Sequence, residues 1–254
     1  MIAARSAASD SAGIMNSTIP TGVLGLGLIG SIWARHLHDD GWLAGAWNRT
    51  PQPDFPQWKD SPAAVADAAD ALMVVVSDPP AVASVLAALQ DRLLPRHLVI
   101  QCSTIDPASS ARFEQLVRAR GAAYVEAPFS GSKPGAETRR TVYYLGGEAA
   151  SVERAHMVLS RLSQQRLVIG TGAQAALLKL ASNLQIVSQL ELLCETLRWA
   201  RAAGVSDDTF FNMLRGNMAW SGVYQIKESK LRAGDFTPQF AVRHMLKDVR
   251  LALA

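Results

Sequence analysis

The segment from Ala173 to Ala203 contains neither glycine nor proline, and it is rich in alanine, leucine, glutamine and glutamate, which favour a helix. Gly172 precedes the segment and Gly204 follows it, in the place after a helix where glycine is most common. As a single helix the segment would extend roughly 45 Å at about 1.5 Å per residue. A helix of this length crosses a whole domain, so the fold must be built around it.

One face of this predicted helix is apolar but begins with two polar side chains. At about 100° per residue, Lys179 and Asn183 lie one turn apart on a common line. The line continues through Ile186, Leu190, Leu193 and Leu197. A buried lysine is costly unless a polar group pairs with it. Taken alone, Lys179 is more simply interpreted as a surface side chain whose stem covers apolar residues.

Composition and charge exclude several classes of protein. Of the 254 residues, 49% are hydrophobic and 19% are charged, which is typical of a globular protein with one large or two modest domains. The net charge of +3 is not concentrated in a run of lysine and arginine, so the sequence does not support nucleic-acid binding. The apolar runs are too short to span a membrane.

The cysteines and histidines predict neither disulfides nor a metal site. Cys102 and Cys194 lie far apart in apolar surroundings and form no CxxC motif, which indicates free thiols in a reducing compartment, the cytoplasm. The histidines lack the spacing of metal ligands, so we expect no metal. Residues 1–16 are small and polar without the apolar core of a signal peptide, and we expect a disordered leader there.

A glycine-rich motif stands between the first predicted strand, at Thr21–Leu24, and a predicted helix at Ser31–Asp39. In a nucleotide-binding fold such glycines allow a tight turn, close approach of the backbone to a pyrophosphate, and packing of helix on strand. The motif alone also fits a plain turn. Its position between strand and helix predicts a dinucleotide site at Gly25, Leu26, Gly27, Leu28, Ile29 and Gly30.

The end of the second predicted strand, Leu43–Trp47, indicates which dinucleotide is bound. An NAD site usually has Asp or Glu here, where the carboxylate holds the ribose 2′-hydroxyl. This chain instead has Asn48, Arg49 and Thr50, whose amide, guanidinium and hydroxyl suit a 2′-phosphate. An arginine can occur here by chance, but the missing acidic residue and the added arginine both favour a 2′-phosphate. We therefore expect NADP(H) in preference to NAD(H).

Apolar runs alternate with helical patterns up to Gly172. Such runs are typical of parallel strands buried on both faces, and their alternation with helices predicts a doubly wound α/β sheet of the Rossmann type. The further predicted strands are Ala71–Val76, Leu98–Gln101, Ala122–Glu126, Thr141–Leu145 and Arg166–Ile169. Helices are predicted directly after Ser61 and at Ala81–Leu93, Ala108–Arg120 and Ser151–Ser163.

The carboxyl ends of the strands, where such sheets bind their ligands, carry further polar segments. One is Ser77 with Asp78. Another is Ser103 with Thr104, whose hydroxyls are alternatively interpreted as the N-cap of the next helix. The third is Ala127–Ala136, a glycine-containing loop that suits a carboxylate or is alternatively a structural turn into the next strand.

The remaining chain is predicted to be all-α. A helix is expected at Thr209–Arg215, a looser segment at Gly216–Pro238, and a last helix at Phe240–Ala254. The expected division is a leader at 1–16, a nucleotide-binding domain at 17–172, and a helical domain at 173–254 that begins with the long helix.

Together these motifs resemble those of the β-hydroxyacid dehydrogenase family, which includes 3-hydroxyisobutyrate dehydrogenase and the glyoxylate/succinic semialdehyde reductases. Four motifs follow in the family's order: Gly25–Gly30 with Asn48–Thr50, the Ser103-Thr104 turn, Pro128–Gly135, and Gly170–Asn183. Lys247-Asp248 is similar to the family's Lys-Asp pair, and Ser130–Lys133 is most similar to the semialdehyde reductases.

The resemblance implies Lys179 as the catalytic acid/base and Asn183 as its partner in holding the substrate. It implies a set of residues around the substrate, namely Ser130, Gly131, Ser132, Thr104, Phe240 and Asp248. It implies a second set on the cofactor, namely the glycine-rich loop with Asn48, Arg49, Thr50, Ser77, Asp78, Thr104 and Lys247. An ammonium beside a carbonyl oxygen stabilises the charge that develops during hydride transfer and supplies the proton.

The implied activity is NADPH-dependent reduction of a small aldehyde or keto acid by a homodimer or homotetramer, with a helical domain of the 6-phosphogluconate dehydrogenase type. Two features depart from the family. Arg139-Arg140 stands where the family commonly has a glycine, and the chain ends at Ala254 where the family continues with further helices. We expect a changed turn before the next strand, and C-terminal packing and subunit contacts that are incomplete or supplied differently.

Two other functions stay open from the sequence. An imine reductase shares the fold and the cofactor loop but usually carries Asp or Tyr at the position of Lys179. A catalytically silent NADP-binding module would have lost the lysine. Lys179 and Asn183 favour a working dehydrogenase over both alternatives.

Overall fold

The computed structural model describes residues 18–253, so the leader predicted at residues 1–16 lies outside the described residues. The strands are β1 (Thr21–Leu24), β2 (Leu43–Trp47), β3 (Ala71–Val74), β4 (Leu98–Gln101), β5 (Ala123–Glu126), β6 (Phe129–Ser130), β7 (Val142–Gly147) and β8 (Gln165–Gly170). The helices are α1 (Gly30–Asp39), α2 (Pro62–Ala68), α3 (Pro79–Leu89), α4 (Pro107–Arg118), α5 (Ser132–Glu137), α6 (Ala149–Leu159), α7 (Gly172–Ala202), α8 (Asp207–Arg215), α9 (Gly222–Ala233) and α10 (Val242–Leu253).

The first five strands are parallel and lie in the order β2-β1-β3-β4-β5. β7 runs antiparallel to β5, and it also pairs with β6 and β8. The chain passes to opposite sides of β1, which is the doubly wound arrangement of a Rossmann sheet. This confirms the fold class predicted from the alternating pattern.

Apolar side chains cover both faces of the sheet. Every residue of β1, β3 and β4 is buried. The neighbours Leu72 and Met73 belong to two different core clusters, because successive strand residues point to opposite faces. The continuous apolar runs in the sequence are therefore explained by two buried faces.

The long helix α7 spans 31 residues, as its sequence predicts. It begins with a capping box, in which Thr171 Oγ1 accepts from Gln174 N and Gln174 Oε1 accepts from Thr171 N. Two glycines let its first turn lie directly on the sheet. A Cβ at Gly146 would be 2.2 Å from the Thr171 carbonyl oxygen, and a Cβ at Gly172 would be 3.0 Å from Ser110 Oγ. The far half of α7 packs in a separate apolar cluster formed by Leu193, Leu197, Phe210, Phe211 and Tyr224.

Two segments fold differently from the sequence prediction. Gly216–Pro238, predicted to be loose, contains α9, which Ser221 caps and which Gly234 ends at a φ of 63°. Ala127–Ala136, predicted to be a loop, contains β6 and most of the short helix α5. Both predictions were wrong, because each segment contains regular elements that end at glycines. The last helix also begins at Val242 rather than at Phe240.

The turn before β7 forms without the glycine that the family commonly has there. Arg139 adopts a left-handed φ of 55°, which is unfavourable for a residue with a side chain. Its guanidinium donates to both carboxylate oxygens of Asp40, at 2.6 and 3.0 Å, and to the Arg161 carbonyl oxygen at 2.8 Å. These charge-assisted hydrogen bonds offset the backbone strain.

Within residues 18–253, no helix is long and apolar enough to cross a membrane. In the same residues, no three side chains of His, Cys, Asp or Glu come together as ligands of a metal ion would.

Candidate active site

The three glycines of the loop between β1 and α1 have different roles. Gly25 has a φ of 111°, and a Cβ there would be 2.2 Å from the Val75 carbonyl oxygen. A Cβ at Gly30 would be 1.9 Å from the Gly25 carbonyl oxygen, so both positions exclude a side chain. A Cβ at Gly27 would meet nothing within 4 Å. Folding does not require glycine there, and the open space fits a pyrophosphate that approaches the backbone closely.

Asn48 holds this loop from the end of β2. Its Oδ1 accepts a hydrogen bond from Leu26 N at 3.0 Å, and its Nδ2 donates to the Thr50 carbonyl oxygen at 3.0 Å. Gln52 Nε2 donates to the Leu26 carbonyl oxygen at 3.4 Å. The Asn48 amide thus contacts the backbone, whereas Arg49 and Thr50 are exposed beside the loop.

The polar residues after β3 organise the start of α3. Asp78 Oδ1 accepts from Ala81 N at 2.8 Å and caps the helix. Ser77 Oγ donates to the other carboxylate oxygen of Asp78 at 2.8 Å. Ser77 and Asp78 therefore lie at the carboxyl edge of the sheet, as predicted, with the Asp78 carboxylate fixed as a cap.

The turn after β4 is tied to the end of β3. Ser103 Oγ accepts a hydrogen bond from Val76 N at 2.9 Å, and Thr104 follows at the same edge of the sheet. The alternative interpretation of Ser103 or Thr104 as the N-cap of α4 is wrong. Asp106 caps that helix, because its Oδ1 accepts from Ser109 N at 2.8 Å.

Lys179 and Asn183 are buried one turn apart on α7, with only 7% and 4% of their surface exposed. Lys179 Nζ donates to Asn183 Oδ1 at 2.7 Å and to Ser130 Oγ at 3.4 Å. Ser130 Oγ also accepts from Tyr144 Oη at 3.2 Å. The alternative of a surface lysine is therefore wrong, and the ammonium lies between α7 and the β6–β7 pair.

A second set of contacts joins α10 to this lysine and to the sheet. Asn183 Nδ2 donates to Asp248 Oδ2 at 2.6 Å, and Asp248 is 2% exposed. Lys247 Nζ forms an ion pair with Asp248 Oδ1 at 2.6 Å and donates to the Thr104 carbonyl oxygen at 2.7 Å. One continuous chain of polar contacts thus runs from the Thr104 turn through α10 to Lys179.

The environment of Lys179 makes its charge easy to change. Burial lowers the pKa of the ammonium from 10.5 to about 8. The nearby Asp248 carboxylate opposes this effect, and the Lys247 ammonium adds to it. A group with a pKa close to neutral can both donate and accept a proton under ordinary conditions.

The remaining predicted substrate residues lie on either side of the lysine. Gly131 and Ser132 follow Ser130 with φ values of 123° and 50° and turn the chain into α5. Phe240 precedes α10, is 43% exposed, and has its ring 6.0 Å from that of His244. Phe240 lies outside the chain of polar contacts that includes Lys179.

Sequence reasoning missed three polar side chains beneath this site, namely Tyr144, Gln101 and Glu126. Gln101 and Glu126 are fully buried at the last positions of β4 and β5. Burial raises the pKa of Glu126 from 4.5 to about 8, although hydrogen bonds from Tyr124, Ser110 and Gln101 oppose the shift. A polar residue that ends an otherwise apolar strand is the signal that could have found Gln101 and Glu126, whereas Tyr144 lies within β7 and carries no such signal.

The sheet and the glycine-rich loop define a dinucleotide-binding fold of the Rossmann type. The family model described as the NAD-binding domain of 6-phosphogluconate dehydrogenase matches residues 20–170. The family model described as NAD-binding of NADP-dependent 3-hydroxyisobutyrate dehydrogenase matches residues 172–254. The chain therefore belongs to the β-hydroxyacid dehydrogenase family of NAD(P)-dependent oxidoreductases that act on CH–OH groups, which confirms the resemblance of its motifs.

The chain is similar to several known proteins. Glyoxylate/succinic semialdehyde reductase 1 of Arabidopsis thaliana is 27% identical over 92% of this chain and 84% of its own length. The cytokine-like nuclear factor N-PAC of Danio rerio is 30% identical over 97% of this chain, which spans only 56% of that protein. The structure of Mycobacterium tuberculosis 3-hydroxyisobutyrate dehydrogenase with L-serine has a TM-score of 0.86 at 21% identity and covers 93% of this chain and 86% of its own.

Proposed function

We propose that this protein is an NADPH-dependent reductase of small semialdehydes or keto acids that carry a carboxylate, with Lys179 as the general acid/base. The observation that carries the proposal is the buried Lys179 ammonium, which is hydrogen-bonded to Asn183 and Ser130 at the carboxyl edge of the sheet. Such a position places a proton donor beside a carbonyl oxygen held in the cleft.

The residues of the chain account for the steps around hydride transfer. NADPH supplies the hydride when it is bound. Lys179 Nζ donates its proton to the carbonyl oxygen of the substrate as negative charge develops there, and it accepts the proton in the reverse reaction. Asn183 accepts from the ammonium and keeps it directed at one point. Asp248 supports the charged form of the lysine because its carboxylate is close.

We propose that the substrate carboxylate is held by Ser130, Gly131 and Ser132. The Ser130 hydroxyl and the backbone N–H groups of the left-handed turn that follows are donors suited to an anion. Ser130 Oγ lies 3.4 Å from Lys179 Nζ. A carboxylate held at Ser130 would therefore place the carbonyl of a short molecule beside the ammonium, oriented for reaction. We propose Phe240, which is half-exposed just before α10, as an apolar wall beside the substrate.

We propose NADP(H) as the preferred cofactor. The exposed Arg49 and Thr50 suit the 2′-phosphate, and the open space at Gly27 suits the pyrophosphate. Asn48 acts mainly by holding Leu26 in place. Ser77, Asp78, Thr104 and Lys247 complete the proposed cofactor site, with Thr104 beside the nicotinamide.

We also propose a homo-oligomer, a dimer or a tetramer. Large apolar side chains recur along one exposed side of α7 at intervals of about two turns, and each is at least 40% exposed: Leu177, Leu184, Leu192 and Trp199. A stripe at this spacing is typical of a helix that packs against another helix.

We also propose that the nucleotide-binding domain ends at Gly172 and that the helical domain begins with α7. We propose a cytoplasmic location, which the two free cysteines support.

The direct test is NADPH oxidation with a panel of short semialdehydes, keto acids and cyclic imines. We expect turnover with at least one carboxylate-bearing aldehyde or keto acid, and none with Lys179→Ala, whose NADPH affinity should stay nearly unchanged. Activity with cyclic imines alone would favour an imine reductase. NADPH binding without turnover of any substrate would favour a catalytically silent module.

A further inference from the structure

The side chain of Gln101 forms a closed pair of hydrogen bonds with the turn that follows β4. Its Nε2 donates to the Ser103 carbonyl oxygen at 2.8 Å, and its Oε1 accepts from Ser103 N at 2.7 Å. Gln101 is fully buried and Ser103 is 3% exposed. The Gln101 amide thus satisfies the backbone N–H and C=O of Ser103, as a paired strand would do, and it fixes the turn.

Glu126 on the neighbouring strand β5 determines how this amide is oriented. Gln101 Nε2 also donates to Glu126 Oε1 at 2.7 Å. The other oxygen, Oε2, accepts from Ser110 Oγ and Tyr124 Oη, each at 2.7 Å. Both partners of the Gln101 nitrogen are acceptors, so the amide has one orientation that satisfies all of its contacts.

The turn held by Gln101 is connected to both sides of the cleft. Ser103 Oγ accepts from Val76 N at 2.9 Å, which joins the turn to the segment before Ser77 and Asp78. The Thr104 carbonyl oxygen accepts from Lys247 at 2.7 Å, which joins it to α10. A displacement of this turn would therefore move Thr104, which is proposed to lie beside the nicotinamide, and the cofactor-binding residues connected to it.

The opposite end of the network contacts the helix that carries the proton donor. A Cβ at Gly172, the first residue of α7, would be 3.0 Å from Ser110 Oγ and 3.3 Å from Glu126 Cβ. Lys179 is seven residues further along α7, or about 10 Å at 1.5 Å per residue. Glu126 therefore lies close to the start of α7, and the Gln101 amide connects it to the turn that carries Thr104.

We propose that Gln101 is a positioning residue for hydride transfer, which sets the distance between the Thr104 turn and Lys179 through its contacts with Ser103 and Glu126. The proposal rests on the proposed reductase function. Gln101 itself touches neither the substrate nor the cofactor. Hydride transfer depends steeply on the approach of the two reacting atoms, so a small shift of the turn slows this step more than it weakens binding.

The variant Gln101→Met keeps the size of the side chain and removes its three hydrogen bonds. We expect kcat to fall roughly 10- to 100-fold, with little change in KM for NADPH. The primary isotope effect on kcat/KM with NADPH deuterated at the transferred position should rise, because hydride transfer becomes more rate-limiting. Amide hydrogen exchange should become faster at Ser103, whose N–H loses its acceptor, and at Val76, whose acceptor Ser103 Oγ is then no longer held in place.

Thr21→Val is the matched control. Thr21 is also fully buried, and its hydroxyl donates to a backbone carbonyl two residues away, that of Ile19, at 2.8 Å. Thr21 is the first residue of β1, so it lies at the amino ends of the parallel strands, whereas Gln101 lies at their carboxyl ends. Both variants should lower the midpoint of thermal unfolding, but Thr21→Val should keep the wild-type isotope effect and the wild-type exchange at Val76 and Ser103.

The results separate the two proposals. If wild-type protein turns over no substrate, the reductase proposal fails and hydrogen exchange alone decides the role of Gln101. Unchanged exchange at Val76 and Ser103 in Gln101→Met would overturn the positioning role. In an active enzyme, a lower kcat with an unchanged isotope effect would also overturn it, because a smaller fraction of folded enzyme would explain the loss.

Discussion

Lys179 has a charge that changes within the pH range of an ordinary assay. Its pKa of about 8 results from burial, opposed by Asp248. Reduction of a carbonyl requires the ammonium as proton donor, whereas oxidation of an alcohol requires the neutral amine as base. The two directions of one reaction should therefore depend on pH in opposite ways.

We predict that kcat/KM for reduction falls as the pH rises through about 8, and that kcat/KM for oxidation rises through the same value. Initial rates with NADPH and with NADP+ over a common series of buffers measure both profiles. Parallel profiles in the two directions would contradict the role of Lys179.

Arg49 tests the choice of cofactor at the level of a single side chain. Arg49→Asp should weaken NADPH binding by roughly 2 kcal/mol or more if a charge-assisted contact to the 2′-phosphate is lost. NADH lacks that phosphate and should bind nearly as before. Fluorescence titration of the two dinucleotides gives the difference.

A control for Arg49→Asp is Arg92→Asp, which makes the same change of charge at an exposed position between α3 and β4, away from the glycine-rich loop. It should affect neither cofactor. An equal loss of NADPH and NADH affinity in Arg49→Asp would refute the assignment of the 2′-phosphate.

Individual residues differ in how well the sequence predicts their place. Lys179 and Asn183 are one helical turn apart, so their proximity follows from local geometry. Asp248 is 65 residues from Asn183, and only a family resemblance brings the two together before the fold is known. Gln101 and Glu126 meet because β4 and β5 are adjacent, and no spacing in the sequence indicates this contact.

At the scale of elements, the glycines of the site serve two different purposes. Gly146 lets α7 approach the sheet, since a Cβ there would be 2.2 Å from a backbone oxygen that cannot move alone. Gly27 has open space in the place of its missing side chain. One glycine thus belongs to the packing of a helix, and the other to the surface that faces the dinucleotide.

We predict opposite effects of alanine at these two positions. Gly146→Ala should lower the free energy of unfolding by about 1–3 kcal/mol, because the first turn of α7 must shift. Gly27→Ala should leave stability unchanged and weaken NADPH binding, since its methyl group enters the space proposed for the pyrophosphate. Thermal unfolding and NADPH titration of both variants measure the two effects. The reverse pattern would contradict both assignments.

Elements were predictable where one signal dominates. The apolar strands and the uninterrupted α7 follow directly from composition and pattern, because burial on two faces permits few polar residues. α9 was missed although Ser221 and Gly234 are typical of the start and end of a helix. Tyr224 of α9 lies in one apolar cluster with Leu193 and Phe211, and no spacing in the sequence indicates this packing.

For the whole molecule, two buried groups make stability depend on pH in opposite directions. Glu126 has a pKa raised from 4.5 to about 8, so the folded state binds more protons than the unfolded state between these values. Its contribution to stability is complete below about 4.5 and is lost as the pH rises through about 8. Lys179, lowered from 10.5 to about 8, adds stability as the pH rises from 8 towards 10.5.

We predict that Glu126→Gln reduces the fall in unfolding free energy between about pH 5 and pH 8. Glutamine resembles the protonated acid and can still accept from Gln101 while donating to Ser110 or Tyr124. Denaturant unfolding at several pH values measures the slope in both proteins. An equal slope in the wild type and the variant would mean that Glu126 does not hold its proton in the folded state.

The contact of Lys247 with the Thr104 carbonyl oxygen has a consequence for the position of Lys179. It bridges the helical layer and the sheet at the mouth of the cleft, and a hydrogen bond from a charged donor to a neutral acceptor contributes only about 1.5–3 kcal/mol. Because Lys247 also pairs with Asp248, which accepts from Asn183, this one ammonium anchors the partner of Lys179 to the carboxyl end of β4.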